Sequence, residues 1–335
     1  MSQLKTNNIT TVSNTGDPNI VLGDSGDTQV QSLNGGQLGG NRNLVINGDF
    51  RTWQRGTSFT NPNNDFTADR WRLAQTANDG TKIDSGVPSL DGTPFVGGIA
   101  SIYNFPAGST PVLSQPIELA YVGGGYIAPV SLGSSLTFSC YATSGKEVKI
   151  NLRYFDNSGA PTSVVDISGG YISTTETAVS GGYSRYTATV TVNAAPVVAS
   201  RCLHLAIQFL NATAPVNVGG VQLEPGLVAT PFEQRPIGTE LALCRRYYQV
   251  LPNQSKTIRA VSSSFAFADG SIPLQPPMRA VPTCSFSVLA NSEITVAPVI
   301  TQDPPSSVYG VAVGNGASGT SGQICYFAGT ADAEL

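Results

Sequence analysis

Charge is scarce in this chain. Charged side chains make up 12% of its 335 residues, about half the usual share, so long surface helices built on Lys, Glu and Arg are excluded as its main element. Only five residues are lysine and the net charge is −4. Without a basic field there is nothing to hold a nucleic-acid backbone. No apolar run approaches the roughly eighteen residues of a membrane span, and the start Met1-Ser2-Gln3-Leu4-Lys5 lacks a hydrophobic signal core. Synthesis in a cytoplasm is therefore expected, and membrane insertion is not.

Histidine is scarcer still. His204 is the only one, so one chain cannot build a metal site on two or three imidazoles, and any nucleophilic triad must use that single base. Five cysteines (Cys140, Cys202, Cys244, Cys284 and Cys325) lie far apart with no C-x-x-C among them, and read as buried thiols rather than disulfides or zinc ligands. Eight glutamates and fourteen aspartates leave room for a glycosidase pair, but no local constellation marks one. Asp49, Asp65 and Asp69 cluster with Arg51, Arg55, Arg70 and Arg72. They read first as mutual surface ion pairs. A structural calcium on Asp49 or Asp65 with backbone carbonyls is the other use of such residues, although no loop of regular ligand spacing marks it. No other cofactor and no catalysis are expected.

What is plentiful is turn chemistry. Thirty-six glycines and 22 prolines punctuate short runs rich in Val, Thr and Ser, which is how an all-β protein reads. Leu136, Phe138 and Cys140 alternate with Thr137, Ser139 and Tyr141. Val148, Ile150, Leu152 and Tyr154 alternate with Lys149, Asn151, Arg153 and Phe155. Tyr186, Ala188, Val190 and Val192 oppose Arg185, Thr187, Thr189 and Thr191, while Leu203, Leu205, Ile207 and Phe209 oppose Cys202, His204, Ala206 and Gln208. One apolar and one polar face per strand predicts a jelly-roll β-sandwich with both outer faces wet.

Four segments follow. Residues 1–42 hold too few large apolar side chains to fold alone, yet carry short β runs at Ile20-Val21-Leu22 and Thr28-Gln29-Val30. They read as an extended N-terminal arm for oligomerisation and docking. Residues 43–236 form the sandwich and 237–250 a short helix and connector, with Thr239 as cap, Leu241 and Leu243 as apolar stripe and Arg245-Arg246 at the negative end. Residues 251–335 form a smaller C-terminal β domain. Two tempting motifs fail: Gly314-Asn315-Gly316-Ala317-Ser318-Gly319 is not followed by a helix, and Gly23-Asp24-Ser25-Gly26 lies in the core-poor arm.

Two stretches carry a resemblance. The first is Asn34-Gly35-Gly36-Gln37-Leu38, Asn43-Leu44-Val45-Ile46-Asn47-Gly48-Asp49-Phe50, Trp53-Gln54-Arg55-Gly56 and Ala68-Asp69-Arg70-Trp71. The second is Val221-Gln222-Leu223-Glu224-Pro225-Gly226, Ala229-Thr230-Pro231-Phe232-Glu233-Gln234-Arg235-Pro236 and Glu240-Leu241-Ala242-Leu243-Cys244-Arg245-Arg246-Tyr247-Tyr248. Together they resemble the opening and closing of a domain that recurs in bacteriophage tail fibres. The resemblance implies a jelly roll of the carbohydrate-binding-module type, a homotrimer, an arm docked on a tail or other virion protein, and recognition of a host surface polysaccharide. Its motifs are mostly architectural, Trp53 and Trp71 belonging to the core rather than to a sugar platform.

Three functions compete on these grounds: a receptor-binding tail fibre, a collar, head or connecting fibre without receptor binding, and a polysaccharide depolymerase, which the missing repeats and lone histidine disfavour. For the first, a sugar needs fixed donors and acceptors beside an aromatic plate. On the polar strand faces these are Tyr141, Arg153, His204 and Gln208, with Cys202 and Ala206 leaving a shallow depression. The loop Gly123-Gly124-Gly125-Tyr126 and the C-terminal domain are the other places a glycan could be held.

Overall fold

The computed structural model describes residues 42–60, 64–74, 80–83, 102–105, 111–118, 132–156, 165–179, 181–194, 200–210, 215–262, 265–268, 272–290, 299–303, 307–314 and 324–334, with strand residues 8–9, 20–22 and 28–29. In the arm, β1 (Asn8–Ile9), β2 (Ile20–Leu22) and β3 (Thr28–Gln29) form one antiparallel sheet in that order. The two β runs expected there thus pair with each other. The rest of the arm, the loop at 123–126 and the glycine run at 315–319 lie outside the described residues.

The sandwich runs through β4 (Ser58–Phe59), β5 (Asp65–Phe66), β6 (Arg72–Ala74), β7 (Gly80–Ile83), β8 (Ile102–Phe105), β9 (Val112–Glu118) and β10 (Ser135–Thr143). It continues with β11 (Glu147–Asp156), β12 (Val165–Asp166), β13 (Ile172–Ser173), β14 (Thr175–Ala178), β15 (Tyr183–Thr191), β16 (Ser200–Leu210) and β17 (Val216–Pro225). One sheet has the order β14-β15-β10-β17-β8-β7-β4, the other β12-β11-β16-β9-β6-β5 with β13 also on β11. From β8 onward the chain passes back and forth between the sheets, as in a jelly roll. The alternating apolar residues meet in a single core: Leu136, Phe138 and Cys140 of β10 and Tyr186 and Val190 of β15 face Ile150, Leu152 and Tyr154 of β11 and Leu203, Leu205 and Ile207 of β16.

The outer faces are not both wet. On the first sheet Thr137, Ser139, Tyr141, Gln222 and Glu224 are buried because residues 226–235 fold back across them. Thr230 donates its N–H to Glu224 Oε1 at 2.8 Å and its hydroxyl to Oε2 at 2.6 Å, and Glu233 N–H donates to Gln222 Oε1 at 2.8 Å. This strap leads into a polar clasp. Arg235 donates to the carbonyls of Val45 and Asn43 and pairs with Glu240, which in turn accepts from Asn47 N–H. Asn47, at φ 56°, binds the carbonyls of Thr52 and Asp69 through Nδ2 and accepts Thr52 N–H on Oδ1. Between these groups Gly48 lies so close to β17 that a Cβ there would sit 2.1 Å from the Val221 carbonyl oxygen. The two sequence blocks are therefore halves of one clasp, which explains their residues without a ligand.

The cluster of aspartates and arginines is likewise not a set of surface pairs. Asp49, Asp69 and Arg70 are buried, and Asp65 is exposed. Irregular backbone at residues 46–56 and 67–71 enters the end of the sandwich, and buried backbone groups need polar partners. Asp69 accepts from Gln54 N–H at 2.8 Å and from its side-chain amide at 2.6 Å. Burial raises the Asp69 carboxyl pKa, against those bonds from Gln54. Trp71 is fully buried and donates to the Asn47 carbonyl at 2.9 Å, and Trp53 packs on Phe59. Both tryptophans thus belong to the packing.

The helix α1 spans Ile237–Arg245 with Pro236 at its N-cap and no side-chain capping bond. Thr239 lies inside it, not at its start, and the residues it buries are Glu240 and Cys244 rather than Leu241 and Leu243, because the clasp draws the Glu240 face inward. Beyond it come β18 (Tyr248–Ser262), β19 (Phe265–Ala268), β20 (Ile272–Pro273), β21 (Thr283–Ala290), β22 (Val299–Asp303), β23 (Ser307–Gly314) and β24 (Ile324–Asp332). They form one sheet of order β20-β23-β19-β18-β24-β21, with β22 on β23. The expected boundary at residue 250 falls inside β18.

This sheet is joined to the sandwich by two arginines. Arg70 pairs with Glu334, donates to the Pro116 carbonyl and lies 3.5 Å from the Tyr247 ring centroid. Arg55 lies 3.6 Å from the Tyr248 ring centroid and reaches Asp332 at 3.2 Å and Glu334 at 3.3 Å. Cation–π contact and charge pairing thus converge on both guanidinium groups.

Candidate functional site

The outer face of the second sheet is built by strand register. Asp166, Arg153, His204 and Pro116 form one row across β12, β11, β16 and β9. Asn151, Ala206, Ser114 and Arg72 form the next, ending on β6, and Lys149, Gln208 and Val112 the one beyond. Rows of like-facing side chains lie about 6.8 Å apart along a strand, so the outer two are separated by about 14 Å. The middle row is short and sunken: Asn151, Ala206 and Ser114 are buried, while Arg153, His204, Lys149 and Gln208 on either side are half-buried. A buried floor of short side chains thus lies between partly exposed polar ones on β11 and β16, while on β9 Pro116 and Val112 are buried as well.

One end of that floor carries an aromatic ring. Tyr171 precedes Ile172, which pairs with Ile150 beside Asn151, and it is 39% exposed. Burial raises its phenol pKa, and the charge of Arg153 opposes that rise, which places it beside Arg153. Phe155 meets His204 with ring centroids 4.8 Å apart.

The polar groups differ in how fully they are committed. Asn151 donates from Nδ2 to Asp166 Oδ2 and Ser168 Oγ, both at 3.1 Å, but its buried Oδ1 has no partner among the described residues. Burial would raise the Asp166 carboxyl, but hydrogen bonds from Asn151, Gly170 and Ser168 outweigh it and hold the pKa below its usual value. His204 is pushed down to about 4 by burial and by the positive charges of Arg72 and Arg153. At neutral pH it is an uncharged imidazole, able to donate from one nitrogen and accept on the other.

Of the four residues singled out by sequence, Arg153, His204 and Gln208 share this face. Tyr141 does not. It lies on β10 in the first sheet, buried under the strap with Arg185 5.8 Å from its ring centroid. Alternation gives the side of a strand a residue occupies, not the sheet to which that strand belongs. Cys202 and Ala206 are both buried, as are Ser114 and Asn151 on the same face. Tyr171 was missed because it follows Gly169-Gly170 in a turn without alternation, and Arg72 because its neighbouring aspartates suggested ion pairing.

Among the described residues no group of three or more His, Cys, Asp or Glu side chains could hold a metal ion. Asp49 is engaged by Arg51. No described helix is long and apolar enough to cross a membrane.

The sequence matches no known family model and no curated protein. In three dimensions the chain is similar to the enzymatically active domain of tailspike protein 4 of bacteriophage CBA120, at 12% identity and a TM-score of 0.32, over 55% of this chain and 21% of that one. It is also similar to the CBM22-1 xylan-binding domain of Paenibacillus barcinonensis Xyn10C, at 9% identity and a TM-score of 0.29, over 51% of this chain and 94% of that domain. A third similarity is to TmCBM61 in complex with β-1,4-galactotriose, at 15% identity and a TM-score of 0.29, over 55% of this chain and 99% of that module. The chain spans about a fifth of the tailspike domain it matches.

Proposed function

We propose that the chain is a non-enzymatic virion component, a tail-fibre protein that binds a host surface glycan across the outer face of its second sheet. The observation that carries this reading is the sunken row Ser114–Ala206–Asn151, flanked by Arg153, His204 and Gln208 and ended by the exposed Tyr171. A pyranose ring offers hydroxyls around its edge and a C–H face, and this arrangement supplies a partner for each. The lone imidazole has no carboxylate among the groups that shift it, which favours binding over acid–base chemistry.

Assembly as a homotrimer, with residues 1–42 docked on a tail or other virion protein, completes the proposal. A collar, head or connecting-fibre role is the second reading, favoured by the double arginine joint at Arg55 and Arg70. Isothermal titration of the full chain with purified host surface polysaccharide tests the leading one. Binding that weakens about tenfold in Tyr171→Ala and in His204→Ala, one good contact each, is the expected result. No heat of binding to any host polysaccharide leaves the connecting-fibre reading in its place.

A further inference from the structure

We infer that the sugar held on this face is an acidic one, its carboxylate taken by Arg72 and Arg153 and one of its hydroxyls by Asn151. The inference rests on the glycan-binding reading above and names the class of sugar. Most charged groups on the face are already used. Lys149 pairs with Glu147 at 2.8 Å. Glu118 is taken by Arg246 at 3.3 Å and by the Tyr247 hydroxyl at 3.0 Å. The Asp166 carboxylate accepts from Asn151, from the Ser168 hydroxyl and from the N–H groups of Ser168 and Gly169. The acids of the face are thus occupied.

The two arginines are engaged less fully. Arg153 makes no hydrogen bond among the described residues, its contact being the Asp166 carboxylate at 3.7 Å, beyond hydrogen-bond reach. Arg72 spends Nε and Nη2 on a single carbonyl, that of Asn64, at 3.1 Å each. The charge of Asp65, which lies on β5 at the sheet edge, acts on Arg72. Arg72 and Arg153 both lower the His204 pKa, and no carboxylate is among the groups that shift it. A guanidinium offers paired N–H groups that match a carboxylate.

Charge alone would fit any small anion. The second, independent observation is Asn151 Oδ1, a fully buried acceptor with no partner among the described residues. An acceptor cannot satisfy itself on a carboxylate and needs a donor such as a hydroxyl. A ligand that brings both a carboxylate and hydroxyl donors, on a ring that can lie against Tyr171, is a uronic-acid type of sugar.

The single histidine makes the test direct, since its ring C–H signals are the chain's only imidazole resonances. The full chain is titrated with pH in the presence of a galacturonic-acid tetramer, of the same tetramer as its methyl ester, and of sodium acetate. The acidic tetramer is expected to raise the His204 pKa by about one unit, as a negative charge close by does, while the ester and acetate leave it in place. Arg153→Gln and, separately, Arg72→Gln should each weaken the tetramer at least tenfold with circular dichroism unchanged; either folded variant suffices. An equal effect of the ester overturns the acidic-sugar inference and leaves glycan binding standing. An equal effect of acetate reduces the site to a simple anion site and overturns it too. No effect of either tetramer overturns the inference together with the reading it rests on.

Discussion

Replacing Gly48 by alanine attacks the clasp at its tightest point. The new Cβ would stand 2.1 Å from the Val221 carbonyl oxygen and 3.3 Å from the Phe232 ring, where an unstrained carbon–oxygen contact needs well over 3 Å. The backbones must separate by about 1 Å, and they are tied there by Val221 N–H donating to the Gly48 carbonyl at 2.8 Å. Losing one buried backbone hydrogen bond costs about 1–3 kcal/mol, and overpacking adds about 1–3 more. A loss near 4 kcal/mol lowers the melting temperature of a domain this size by about 8–16 °C. The assay is thermal unfolding followed by far-ultraviolet circular dichroism. The control is Gly238→Ala, at the exposed start of α1 with nothing within 4 Å of its new Cβ, which should be neutral or stabilising by up to about 1 kcal/mol. A Gly48→Ala midpoint within 2 °C of wild type, on the order of the control, would refute the close approach.

Three further outcomes follow from the geometry. Glu334→Ala strips the buried Arg70 guanidinium of its carboxylate and should cost about 3–5 kcal/mol, read as a lower denaturant midpoint; an unchanged midpoint would mean the two β units are not joined there. His204 titrates in the folded chain near 4 against 6.5 for the free side chain. Between those values the unfolded chain binds the extra proton, so this residue's contribution to stability is full above about pH 6.5 and falls as pH drops toward 4. The loss is about 1–3 kcal/mol once its partial exposure is allowed for. An imidazole resonance titrating at its ordinary value would contradict it. Glu224→Gln, which weakens the anchor of Thr230, should cost about 1–2 kcal/mol and speed proteolysis within residues 226–235; unchanged cleavage would show that the strap is held elsewhere.

The interior of the sandwich was legible because alternation is a local signal: Val148, Ile150, Leu152 and Tyr154 each fall in the core that their spacing assigns. The outer faces were not, because what covers them comes from far along the chain. Thr137 and Tyr141 look like ordinary exposed strand residues until a segment about ninety positions later crosses them. Its sequence, polar and proline-bounded, reads as a loop. Arg70 was misread for the same reason: its carboxylate partner lies 264 residues away. At the candidate site, parity located Arg153, His204 and Gln208, whereas Tyr171 depends on a glycine turn that gives no periodic signal.

The central claim is that the outer face of the second sheet holds a sugar. Its most direct test is a crystal structure of the full chain with an oligosaccharide selected from a glycan array. A sugar ring is expected over Ser114, Ala206 and Asn151, its C–H face toward Tyr171 and a hydroxyl donating to Asn151 Oδ1. A ring bound instead at residues 123–126 or on the C-terminal sheet, with this face bare, would contradict it.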